Sequence, residues 1–222
     1  MSTAWRGWTY SNLGVALVAA AVTAGTFPLL DLPVRPSLLV LAASGAFLVY
    51  QLDRGLVPSP EDPINRPARV RWVRRHAPYV RLSSAAAVLA GGWILLVQPT
   101  TVWLLTVLLG TAGIGYALRD RIAGISQVKG RLEMLKPVVL AGVWALGAVL
   151  LPVAANPGGG WGWEAAPLVL YRWGAVAPNL LLADWPDRAG DRSVGRSTPA
   201  VRWSERRLVL ICRSVLMLTL AG

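Results

Sequence analysis

Cysteine is almost missing from this chain. Cys212 is the only one, so no disulfide can staple the fold within one chain, and no CxxC or Cys/His cluster offers a soft-metal site. Histidine is as scarce: His76 stands in a run of arginines with no partner at useful spacing, and reads as a surface residue rather than an acid or base. Charged residues make up 15% of the chain, against about 25% in a soluble domain. The glycines of Gly110-Thr-Ala-Gly113-Ile-Gly115 are not followed by Lys-Ser/Thr, which excludes a phosphate loop and leaves close helix packing. No small-residue cleavage site follows the segment from Met1 to Tyr10, so the first apolar run is expected to be an uncleaved span.

Apolar residues fill the space, at 55% of the 222 positions with a mean hydropathy of +0.50. They gather into runs at 12–30, 37–52, 82–97, 101–118, 137–153 and 165–183, with a seventh starting near 208. A spanning helix needs roughly 17–25 residues, and in lipid only a helix or a closed barrel satisfies its own backbone. The expected fold is all-α: a polytopic transmembrane bundle of six full spans and a partial seventh, forming one membrane domain over 1–222.

The net charge of +11 would suit nucleic acid, but the placement of the basic residues excludes that partner. Arg54, Arg66, Arg69, Arg71, Arg74, Arg75 and Arg81 fall between the second and third runs. Arg119, Arg121, Lys129, Arg131 and Lys136 fall between the fourth and fifth, and Arg188, Arg192, Arg196, Arg202, Arg206 and Arg207 between the sixth and seventh. The loops Gln98-Pro99-Thr100 and Asn156-Pro157-Gly158-Gly159-Gly160 have none. The positive-inside rule puts the basic loops and the N-terminus in the cytoplasm. Tryptophans 5, 8, 72, 161, 163, 185 and 203 fall near span ends, as membrane-interface anchors do.

The acids carry the chemistry. Of eleven, Asp53, Glu61, Asp62, Asp184, Asp187 and Asp191 fall in two of the basic loops. Asp184, Asp187 and Asp191 stand at i, i+3 and i+7, one side of a continuing helix. Such carboxylates repel unless a cation intervenes, and two readings stay open: solvated partners of neighbouring arginines, or ligands for Mg²⁺, which takes oxygen donors and bridges carboxylates to phosphate. Arg188 and Arg192 suit either role. Arg172, inside the sixth run, is by default a functional candidate, but at about 1.5 Å per residue it lies roughly 18 Å from Asp184. Asn179 faces either the site or a neighbouring helix, and Asn12 is read as packing.

The run from Asn179 through Asp184-Trp-Pro-Asp187-Arg-Ala-Gly-Asp191-Arg192 to Gly195 and Thr198 resembles the second aspartate motif of UbiA-type membrane prenyltransferases, DxxxD with an upstream Asp and a downstream Gly and Thr. Asp53-Arg54 and Asn65-Arg66-Pro67 resemble parts of the first motif, NxxxDxxxD with its Asn-Arg-Pro turn. Val49 and Val57 replace its Asn and second Asp, and Asp62 or Glu61 is the substitute carboxylate. Tyr116 to Lys136 resembles the basic segment that closes over the diphosphate. The resemblance implies an integral plasma-membrane enzyme, prokaryotic in type, that carries seven of the family's usual nine helices. It would move a prenyl group from a polyprenyl diphosphate to an aromatic or lipid-like acceptor with Mg²⁺ as cofactor. It implies metal ligands Asp53, Asp62, Asp184, Asp187 and Asp191, with Asp53, Asp187 and Asp191 central to catalysis. Arg54, Asn65, Arg66, Lys136, Asn179 and Arg192 would bind substrate. The alternative is a non-catalytic binding or assembly protein.

Overall fold

The computed structural model describes residues 3–56, 59–118, 126–156 and 163–221, with side chains described from 7 onward and from 133 in the third segment. All regular structure among them is helical. Val57, Arg119, Arg121 and Trp161 lie outside the described residues, as do the side chains of Trp5, Lys129 and Arg131.

The helices are α1 (Thr3–Tyr10), α2 (Leu13–Ala24), α3 (Thr26–Leu29), α4 (Pro36–Gln51), α5 (Asp62–Asn65), α6 (Pro67–Arg75), α7 (Ala77–Leu96), α8 (Thr100–Ala117), α9 (Ser126–Ala154), α10 (Ala165–Ala183), α11 (Arg188–Ser193), α12 (Pro199–Arg202) and α13 (Glu205–Ala221). A π-turn, Leu52–Leu56, extends α4. Four stretches are long and apolar enough to cross a membrane: Pro36–Leu56, Ala77–Leu96, Thr100–Ala117 and Glu133–Ala154; Leu13–Leu29 is a shorter apolar helix. Leu89 and Trp93 on α7 are each 73% exposed, an arrangement suited to lipid rather than water.

Proline sets several boundaries. Pro36, Pro67 and Pro78 stand in the first turns of α4, α6 and α7, where a missing N–H costs nothing. Pro186 lies between α10 and α11, and it disfavours the α conformation at the residue before it. The continuous helix expected through Asp184, Asp187 and Asp191 therefore breaks into a helix end, a turn and a new short helix.

α4 is the central element, packed against α2, α7 and α8, while α9 and α10 pair and α13 closes against α10. Small residues permit the closest approaches. A Cβ on Gly91 would meet Ser44 at 3.1 Å, one on Gly113 would meet Val49 at 2.7 Å, and one on Gly174 would collide with Thr219. The packing reading of the Gly110–Gly115 segment therefore holds at Gly113. One end of the bundle buries Phe27, Leu38, Leu41, Val102 and Leu151 together, and Arg35 ties this end by donating to Asn156 at 3.0 Å. At the other end Leu181, Leu208 and Cys212 join α10 to α13.

A charged cavity at one end of the bundle

The π-turn after α4 begins the site. Gln51 is 1% exposed and donates to the Ser11 carbonyl at 3.3 Å, while Asn12 donates to its Oε1 at 3.1 Å. Asn12 itself has φ +63, a left-handed conformation that Asn tolerates better than most residues. A Cβ on Gly55 would come within 2.7 Å of Gln51 Oε1, so the turn packs directly on this amide. The polar knot thus fixes the backbone that carries Asp53 and Arg54. Arg54 lies over the Tyr50 ring at 4.7 Å and 3.9 Å from Asp53.

α5 and α11 are clipped together by Asn65. Its Oδ1 accepts from Gly190 N at 3.0 Å, and its Nδ2 donates to Asp191 Oδ1 at 3.4 Å. Asp191 also accepts from the Thr198 hydroxyl at 3.3 Å. Arg66 donates from Nε and Nη2 to the two oxygens of Asp187, at 2.8 and 3.1 Å. Lys136 donates to both oxygens of Asp184, at 3.0 and 3.1 Å. Asp62 is held by Arg69 and accepts from Ser59 N at 3.1 Å.

Below these pairs lies a buried cation. Arg196 is 5% exposed, 2.9 Å from Glu61 and 3.9 Å from Glu133, and Glu133 also accepts from Ser197 N at 2.6 Å. Removing such charges from water is costly, so each needs its partner. Burial raises the pKa of Glu61, with Arg196 pulling against it. Burial, then repulsion from Asp184, raises Asp191. The bond to Asp187 raises Arg66, and burial lowers Arg69.

Asp53, Glu61, Asp62, Asp184, Asp187 and Asp191 line one cavity with Arg54, Arg69, Lys136 and Arg196. Asn65, Tyr50 and Tyr116 complete its wall. Every aspartate expected at the site is therefore in it. Arg66, Asn179 and Arg192 are not among the lining residues, and Arg66 reaches the cavity only through its pair with Asp187. Asn179 is exposed and donates to the Ala175 carbonyl of its own helix at 2.8 Å. At 100° per residue it lies about 140° around α10 from Asp184. Arg192 is exposed on the face of α11 turned from Asp191. Arg172 also lies elsewhere: a Cβ on Gly25 would be 3.1 Å from its Nη2, and Glu164 is exposed.

Sequence reasoning passed over Glu133, Arg69 and Arg196 as site residues. Glu133 left a signal, as the lone acid between Asp120 and Glu164 at the edge of an apolar run.

A second, apolar cavity of about 150 Å³ adjoins the first and shares Val49, Tyr50 and Leu140 with it. Small residues hold it open, among them Ala42, Gly45, Ala46, Gly110 and Gly147, and Trp144 stands at its wall. A polar cavity and an apolar one therefore meet at shared side chains.

The donor set suits Mg²⁺, being all hard oxygen. Six carboxylates against four cations also leave the lining net negative, so an anionic head needs added positive charge. Among the described residues, however, no three acids or histidines stand close enough to hold a metal ion as arranged. No protein-family model, curated protein or solved structure matches the chain significantly.

Proposed function

We propose that this protein is a membrane prenyltransferase of UbiA-like type, with six full spans and a partial seventh and with the charged cavity on the cytoplasmic side of a prokaryotic plasma membrane. The observation that carries the reading is the junction of a carboxylate- and cation-lined cavity with an apolar one at Val49, Tyr50 and Leu140. The diphosphate head occupies the first and the prenyl tail the second. Resemblance of the Asp184–Thr198 segment to the family motif supports the same reading.

Lys136, Arg54 and Arg69 meet the diphosphate oxygens, and Arg66 guards the rim through Asp187. Heterolysis of the allylic carbon–oxygen bond releases diphosphate and leaves an allylic cation. Tyr50 lies at the junction of the two cavities, with Trp144 in edge contact with it at 6.4 Å between centroids on the apolar side, and such rings stabilise a nearby cation. The acceptor carbon then attacks the allylic cation to form the new carbon–carbon bond, and its displaced proton passes to the released diphosphate. Asp53, Asp62, Asp184, Asp187 and Asp191 would hold Mg²⁺ only on leaving their present cation partners and drawing together, and it would then supply Lewis-acid stabilisation of the leaving diphosphate.

A prenyl diphosphate of labelled tail, added to detergent-purified protein with and without Mg²⁺, tests the reading. Mg²⁺-dependent binding that Asp187→Ala abolishes is expected. Binding that ignores both Mg²⁺ and Asp187→Ala refutes it.

The second reading, a non-catalytic binding or assembly protein, is favoured by the ion-paired state of the carboxylates and by Val49 at the expected Asn position. It predicts that the diphosphate is bound and recovered intact with every acceptor offered.

A further inference from the structure

The arginines of α6 divide by face. Arg69 turns inward to Asp62, and Arg66, just before the helix, reaches Asp187. Arg71, Arg74 and Arg75 point the other way: all three are exposed, and none has a carboxylate partner among the described residues. At 100° per residue they span about 100° of the helix surface, centred nearly opposite Arg69. Like charges at i, i+3 and i+4 repel and destabilise a helix by themselves. An anion from outside the chain would relieve that repulsion.

Its surroundings identify the anion. Trp72 stacks on His76 with centroids 4.4 Å apart, and Tyr10 and Tyr79 pack on Trp72 at 6.2 Å each. His76 Nδ1 is 2.8 Å from the Trp72 carbonyl, which holds the stack in place. Trp8 and Tyr79 are both more than 40% exposed. Clustered amphipathic rings of this kind favour the headgroup level of a bilayer. α7 starts two residues after Arg75, and its Leu82, 74% exposed, begins the lipid-facing surface. Three free guanidiniums thus lie beside an aromatic belt, directly before a spanning helix.

We propose that Arg71, Arg74 and Arg75 form a binding site for the phosphate headgroups of anionic phospholipids, separate from the charged cavity. The inference rests on reading the apolar helices as membrane spans, and not on the prenyl-transfer reading. Guanidinium forks match phosphate oxygens in pairs, and the negative leaflet concentrates such headgroups at this depth.

Native mass spectrometry of the full chain, titrated with phosphatidylglycerol and with phosphatidylcholine, tests the site. Phosphatidylglycerol is expected to bind preferentially, and the Arg71→Gln/Arg74→Gln/Arg75→Gln triple variant to bind it about ten- to a hundred-fold more weakly. The triple lysine variant keeps most of the affinity. If the triple glutamine variant misfolds, Arg74→Gln and Arg75→Gln singly each show a several-fold loss. Equal phosphatidylglycerol binding by wild type and glutamine variants overturns the proposal. So does inorganic phosphate competing at the same concentration as the lipid, since the site is then one for a free anion.

Discussion

Replacing Gly190 with alanine sets two effects of opposite sign against each other. Within α11 alanine is the better helix former, by about 0.5–1 kcal/mol. The added Cβ, however, collides with Asn65 Oδ1 and comes within 2.6 Å of its Cγ and 2.8 Å of its Nδ2. Asn65 cannot retreat without giving up its bonds to Gly190 N and Asp191, each worth roughly 0.5–1.5 kcal/mol. Overpacking adds about 1–3 kcal/mol. The clash wins, and a net loss of about 2–4 kcal/mol is expected. A thermal melt in detergent reads it, with Gly142→Ala as control because a Cβ there meets nothing within 4 Å. In an Asn65→Ala background the collision disappears, so Gly190→Ala becomes neutral or mildly stabilising. Such non-additivity is the signature of direct contact. A Gly190→Ala protein as stable as wild type, or an equal loss in both backgrounds, refutes the reasoning.

Glu61 has a folded pKa above its unfolded value, so its contribution to stability is full below the unfolded pKa of 4.5 and fades as pH rises through the folded one. The melting temperature of wild type minus that of Glu61→Gln should therefore fall as the pH rises above 4.5; a rise reverses the sign and rejects the assignment. Gln51→Leu removes the bonds to Ser11 and Asn12 and leaves their buried groups unpaired, at about 1–3 kcal/mol each. It should lower diphosphate affinity along with stability, and unchanged affinity in a folded variant removes Gln51 as the support of Asp53. Gly110→Leu places a side chain in the apolar cavity at a position with no neighbour within 4 Å. Prenyl diphosphates with three isoprene units should then bind less tightly relative to those with two, at little cost in melting temperature. Identical chain-length preference in both proteins excludes this cavity as the tail site.

The aspartates of the later loop were legible because their spacing is local. Asp184, Asp187 and Asp191 lie within two helical turns, and the turn at Pro186 alters the backbone without removing any of them from the cavity. Asn65 was legible through its Asn-Arg-Pro turn, although its job as a clip on Gly190 was not. Glu61, Glu133 and Arg196 were hidden because their meeting is tertiary: no periodicity links positions so far apart. Asn179 was misplaced for a simpler reason, the helical phase that turns it from Asp184. The apolar runs marked the helices well, and the charged helix ends blurred where each one stops.

The Arg196 pair with Glu61 also orders the protein in time. The two residues are separated by 135 positions, and at synthesis rates of about 5–20 residues per second the glutamate waits roughly 7–27 s for its cation. Asp62 does not wait, since Arg69 follows seven residues later. During that interval the Glu61 carboxylate stays in water while the helices before it insert. Arrival of Arg196 then draws the loop inward, so closure of the charged end waits for the segments made between Glu61 and Arg196.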